Sequence, residues 1–214
     1  MRSAWWLLGI VCALPLRGAE ETAFGQLTFA GLSPEMQIAA RRVVVATGAR
    51  FDRLFGTSVG RMPTVVRWVA AEEVVCGGEE IGGMSGLCVV REGRAEILVA
   101  TRANAAVAAI LAHEATHAFL AEAFGAVRDP FLNEGLAQWF AAQAWPPLRN
   151  ELRHLWLKGG PRTSSSPYVA GFHWIEEHVE RPGFGEFVKT GRDATSKSVD
   201  DLEKRWREFA RGRK

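Results

Sequence analysis

The chain has 214 residues, 48% of them hydrophobic and 23% charged, with 26 Lys+Arg against 24 Asp+Glu. That is enough for one domain with a core of its own, and the ordinary composition excludes a disordered, collagen-like or disulfide-scaffold protein. A formal charge of +2 is too small to argue for a nucleic-acid partner or an anionic membrane surface.

Met1-Arg2-Ser3 precedes an apolar run over 4–16, followed by Arg17-Gly18-Ala19. A basic start, a short apolar stretch and small residues describe a secretory signal peptide over 1–18, and the run is well short of the ~20 residues a spanning helix needs. The mature chain, 19–214, is therefore expected to be secreted or periplasmic without a membrane span; an uncleaved anchor is the alternative. Cys12, Arg2 and Arg17 leave with the signal, so the mature charge balances and Cys76 and Cys88 remain. In an oxidising compartment that pair is expected to close a disulfide across the intervening glycine-rich loop, stabilising by about 3 kcal/mol. Two free thiols are the alternative.

Further along, Phe24, Leu27 and Phe29 alternate loosely and predict a short strand over 24–30. Ser33-Pro34-Glu35 reads as a helix start with Ser as N-cap, and the apolar pattern runs to Phe55, where Gly56 stops it. The β-branched and aromatic run over 63–70 predicts a strand, and 87–90 and 95–100 flank a turn with Gly93 in it, a hairpin. From Asn104 the pattern is helical, with helices expected over 104–124, 131–143, 147–157, 167–180, 184–190 and 198–211. Strands first and helices after give an α+β class rather than a βαβ alternation, with a small, mostly antiparallel N-terminal sheet and a helical C-terminal part. The strand 95–100 is read as a sheet edge to which an extended peptide can add.

The helix over 104–124 is Ala-rich and apolar almost all round, as a buried helix is, yet it carries His113-Glu114-Ala115-Thr116-His117. Histidines at i and i+4 share a face, so their ring nitrogens can meet at one cation, and Glu114 opens onto the same space. In the His-Glu-x-x-His pattern the two histidines ligate zinc and the glutamate is the general base; the alternative is two core histidines capping carbonyls. Seventeen residues after His117 comes Glu134, in Phe131-Leu132-Asn133-Glu134-Gly135-Leu136-Ala137. Gly125 and Asp129-Pro130 break the chain between, so the next helix can return antiparallel and present Glu134 to the histidines.

These two stretches resemble the gluzincin branch of the zincin metallopeptidases, and among them the small bacterial peptidase MA-like domains. The resemblance implies a zincin-like fold and a secreted zinc-dependent peptidase. His113, His117 and Glu134 would be its metal ligands, Glu114 its base, Zn2+ its cofactor and a peptide or protein its substrate. Such enzymes commonly draw an oxyanion donor from a downstream helix. Tyr168, the one tyrosine beside 12 Phe and 8 Trp, lies in a Tyr-x-x-Gly-Phe stretch that resembles the same pattern; His173 is the weaker alternative, and packing the bland one. His154 and His178 read as surface or helix-end histidines. Thr116, Asn133 and Gln138 are within spacing of the ligands as orienting partners. Trp139 and Phe140 read as core, and Glu176-Glu177 and Lys204-Arg205 with Arg207 as solvated faces. The chain departs from the gluzincin aminopeptidases in having no Gly-x-Met-Glu-Asn stretch, which disfavours an exopeptidase. A non-catalytic domain of the same fold, and a zinc hydrolase of a non-peptide amide, are the competing readings.

Overall fold

A computed structural model describes residues 27–69, 75–76, 79–80, 86–100, 107–159 and 165–213. The signal segment 1–18 and the first residues of the strand at 24 and the helix at 104 lie outside them. The protein is mixed α+β, with one four-stranded sheet and seven helices among the described residues. It divides into two compact units, the first ending at Ala123 and the second running from Phe124. Among the described residues no helix is long and apolar enough to cross a membrane.

In the first unit, β1 (Leu27–Ala30) leads into α1 (Pro34–Phe55). Ser33 caps α1, accepting from the Met36 amide at 3.4 Å, Pro34 opens it, and Gly56 closes it in the left-handed region at φ 63°. Ala40, Val43, Val44, Thr47 and Phe51 recur at helical spacing and are the buried face. Two carboxylates then fix the following loop. Asp52 accepts from the Val59 amide at 2.9 Å, and Glu122 accepts from the amides of Gly60 and Arg61, each at 2.9 Å.

The chain continues through β2 (Thr64–Val69), the two-residue strands β3 (Val75–Cys76) and β4 (Glu79–Glu80), β5 (Gly86–Arg91) and β6 (Arg94–Ala100) to α2 (Val107–Phe124). The sheet order is β1-β2-β6-β5. The expectation of a mostly antiparallel sheet is corrected here. β1 pairs with β2 and β2 with β6 in parallel, and only β5 and β6 are antiparallel. The reason is connectivity. Parallel strands need a long crossover, and α1 supplies it, so β1-α1-β2 is a βαβ unit that the reading of strands first and helices after does not foresee. The β5–β6 hairpin turns on Glu92 and Gly93, both at positive φ (51° and 71°), the geometry of a tight primed turn. It lays β6 alongside β2.

That order also displaces the expected edge. β6 carries Ala95, Ile97 and Val99 buried on its inward face and takes an interior place with neighbours on both sides. The edge strands are β1 and β5. α2 covers the inward face with Ile110, Leu111, Ala115 and Phe119 buried, and Phe51 of α1 meets Phe119 at a ring separation of 5.9 Å.

The second unit holds α3 (Pro130–Ala144), α4 (Pro147–Gly159), α5 (Pro167–His178), α6 (Phe184–Gly191) and α7 (Val199–Arg211). Asp129, fully buried, caps α3 through the amides of Phe131 and Leu132 (3.0 and 3.2 Å). α3 and α5 cross where two glycines meet: a Cβ on Gly171 would stand 2.5 Å from the Phe131 carbonyl oxygen, and one on Gly135 2.6 Å from the Gly171 carbonyl carbon. Beside the crossing, Ala142, Leu152, Val169 and Phe172 form a core patch that Trp139 and Trp156 flank. A second apolar centre gathers Trp174, Phe184, Phe187 and Trp206, with Trp206 5.2 Å from Phe187.

Two surface readings fail in this unit. Arg205 is not a solvated charge: its guanidinium pairs with buried Asp129 and donates to the Gly191 carbonyl at 3.0 Å. His178 does end α5, but it is buried, stacked on Trp174 at 4.2 Å. Its Nδ1 donates to the Trp174 carbonyl at 2.8 Å, and its Nε2 lies 3.1 Å from Glu203. Charge count along one helix does not disclose partners brought from another. His154 is exposed and Phe140 buried, as expected. Glu176 lies between Arg149 and Arg153, at 3.2 and 3.0 Å.

Candidate metal centre

The site starts from the spacing on α2. His113 and His117, one turn apart, are both half-buried, with Nε2 atoms 3.1 Å from each other and rings edge to face at 4.8 Å. Two imidazole nitrogens at that distance either share one proton or converge on one cation, since at most one of them can donate to the other. The helix around them is apolar, so these rings are set deliberately into a low-polarity wall.

Glu114, between them, is only 7% exposed. Its carboxylate reaches toward β5, where a Cβ on Gly86 would lie 2.8 Å from Oε1 and 2.7 Å from Ile110 Cγ2. A glycine inside a strand marks close approach of another group, and here the group is Glu114. Gly86→Ala is expected to push the Glu114 side chain aside and slow any reaction that uses it, while His113 and His117 stay in place to bind a metal. Metal titration alongside turnover checks this, and an unchanged rate would show that Glu114 has room to spare.

Cys88 lies on the same inward face of β5, in register with Ile97. The expected bridge from Cys76 is not seen. Cys88 is a free thiol, and the side chain of Cys76 lies outside the described residues. Burial pushes the Cys88 thiol well above the usual range, the nearby Glu114 charge adds to this, and a backbone hydrogen bond with Ala118 opposes it. A thiol kept protonated by its surroundings is a poor nucleophile and a slow partner for oxidation.

On α3, the Asp129 cap sets the first turn, and half-buried Glu134 follows on the next. Among the described residues one group of His, Cys, Asp and Glu side chains could hold a metal ion, and it consists of His113, His117 and Glu134, with one ligand atom of each within 4.8 Å of the others. Two imidazoles and a carboxylate make a three-ligand donor set that leaves a fourth position open, the composition of catalytic rather than structural zinc sites. Bonds of ~2.1 Å in a tetrahedron separate ligand atoms by about 3.4 Å, close to the 3.1 Å between the histidine nitrogens. The residues fit the ion. The donor set alone does not select zinc over other borderline divalent metals.

Comparison with known family models, curated proteins and solved structures returns no match.

The other expected site residues divide. Tyr168 lies in the first turn of α5 and is 44% exposed. His173 is engaged elsewhere: its Nε2 faces the Leu152 carbonyl at 3.4 Å, its ring leans on Trp156 at 5.0 Å, and burial lowers its pKa. Thr116 cannot orient a histidine, because its buried hydroxyl donates to the Ala112 carbonyl at 2.7 Å within the helix. Asn133 and Gln138 are both half-buried on α3. Missed by sequence reasoning were the glycines. Gly86 and Gly171 each sit inside a strand or helix pattern, which signals close approach, but the pattern does not name what approaches.

Proposed function

We propose that this chain is a zinc-dependent metallopeptidase of the gluzincin kind, with a zincin-like arrangement of its sheet and active-site helix. The observation that carries the reading is the convergence of His113, His117 and Glu134 ligand atoms within 4.8 Å, with a buried glutamate in sequence between the two histidines. A carboxylate at that place is suited to accepting and passing on a proton.

A zinc ion held by the three side chains would supply a Lewis acid able to polarise a carbonyl and to make water acidic near neutral pH. The chain does the rest. His113 and His117 must be neutral to ligate. Glu114 accepts the proton of the attacking water and passes it to the leaving amine, a general-base and then general-acid role. Its position against β5 supports this, because β5 is one of the two edge strands of the four-stranded sheet. An extended peptide adding there takes main-chain hydrogen bonds from β5, and its scissile carbonyl is delivered beside Gly86 and Glu114.

Tyr168 is the oxyanion donor in this reading, His173 being committed to α4. Tyr168→Phe is expected to lower kcat by about 10²–10³ with zinc retained, the usual cost of removing one such donor. An unchanged kcat assigns the ring to packing. For the function itself, an unstructured protein is the substrate, and zinc is removed by chelation and then restored. Hydrolysis should vanish and return with the metal. A protein that binds no zinc, or cleaves equally well without it, is not a metallopeptidase, and one that binds zinc but leaves peptides intact is a binding domain or acts on another amide.

A further inference from the structure

Tyr168 lies one turn before Gly171 on α5, and Glu134 directly precedes Gly135 on α3. The two glycines are where these helices touch, backbone against backbone. A Gly171 Cβ would stand 2.5 Å from the Phe131 carbonyl oxygen and 3.0 Å from the Gly135 Cα; a Gly135 Cβ would stand 2.6 and 2.7 Å from the Gly171 carbonyl atoms. No side chain is available to swing away. The approach is therefore set by the absence of two Cβ atoms, and it is closer than the 8–10 Å axis separations of ordinary helix pairs allow side chains between them.

We infer that the Gly135–Gly171 crossing is a positioning device: it fixes how deeply the tyrosine-bearing turn of α5 sits against the helix that carries Glu134. Gly171 and Gly135 act through Tyr168 and touch no reacting atom. The inference rests on the reading of Tyr168 as oxyanion donor. An ordinary contact needs about 3.5 Å, so one Cβ at Gly171 must part the helices by about 1 Å. α3 resists, because Asp129 ties its first turn to Ser196 and Arg205. α5 is held at its other end, where Trp174 donates to Glu203 at 2.9 Å. Its first turn, with Tyr168 half-exposed, is the part that yields. A displacement of ~1 Å at a positioned group costs on the order of 10²-fold in rate.

The single tyrosine makes this measurable without turnover. In protein carrying 13C-ring-labelled tyrosine there is one labelled side chain, and Co2+ titrated into the metal-free chain shifts and broadens its signal according to distance. Wild type should show a large cobalt-induced shift, and Gly171→Ala should lose most of it while still binding Co2+. In turnover, Gly171→Ala should lose about 10² in kcat, and the same substitution made in Tyr168→Phe should cost nothing further. A purely structural role would lower thermal stability in both backgrounds and multiply the two losses in rate. Should Gly171→Ala fail to fold, Gly135→Ala opens the same contact from the other helix. The wild-type spectrum overturns the inference alone if cobalt binds and leaves the Tyr168 signal in place. A chain that binds no Co2+ at all sinks the metal reading itself, and a chain that shows the tyrosine shift but no peptide cleavage sinks only the peptidase reading.

Discussion

Glu114→Gln should keep the metal and lose the reaction. The substitution conserves volume in a position that is 7% exposed and already crowded by Gly86 and Ile110, so α2 and the two histidine rings stay where they are. What disappears is the ability to accept a proton. A positioned general base contributes about 10²–10⁴-fold, and kcat is expected to fall by that factor with KM little changed, since the role proposed for Glu114 is on the reacting water rather than on the bound peptide. Zinc content measured on the same preparation separates this from a site that has fallen apart. Equal turnover in wild type and Glu114→Gln would remove the glutamate from the mechanism.

The second large effect is on stability. Asp129 is fully buried and serves two purposes at once. One oxygen accepts the amides of Phe131 and Leu132 at the start of α3, and the other takes the Ser196 amide at 3.0 Å, the Ser196 hydroxyl and the Arg205 guanidinium. Asp129→Ala leaves Arg205, whose side chain is 22% exposed, without its main partner, and strips the helix cap. Breaking one side of a buried ion pair costs about 3–5 kcal/mol, and losing a cap about 1 kcal/mol; the two overlap in one carboxylate and do not add fully. A loss of about 3–5 kcal/mol in chemical unfolding is expected, with Asp129→Asn losing less because its amide oxygen still caps the helix. Zinc affinity should weaken too, because Glu134 rides on the helix so anchored. A loss below ~1 kcal/mol would mean that the pair contributes little beyond its desolvation cost.

The elements themselves could be read from sequence because local chemistry decides them. Ser33-Pro34 and Gly56 bound α1, and the proline-led starts at Pro130, Pro147 and Pro167 open α3, α4 and α5. What escaped was anything that depends on which element lies beside which. Strand direction in the sheet follows from α1 crossing over, and the hydrophobic pattern of β1 is the same for either direction. The burial of Arg205 depends on Asp129, 76 residues earlier; read along α7 alone, it is one more basic residue on a charged helix. His178 looks like a terminal histidine until Trp206 and Glu203 arrive from α7. At the candidate site the balance is reversed. His113, Glu114 and His117 share a helix, so their spacing defines their geometry, whereas the contacts of Gly86 and Gly171 with other elements were invisible.

The proposed metal centre holds one ion between His113, His117 and Glu134. An anomalous difference map collected at the zinc absorption edge from crystals of the zinc-loaded protein tests it most directly. One peak per chain is expected, about 2.0–2.2 Å from a nitrogen of each histidine and an oxygen of Glu134. A map with no peak there, or with its peak on other side chains, would contradict it.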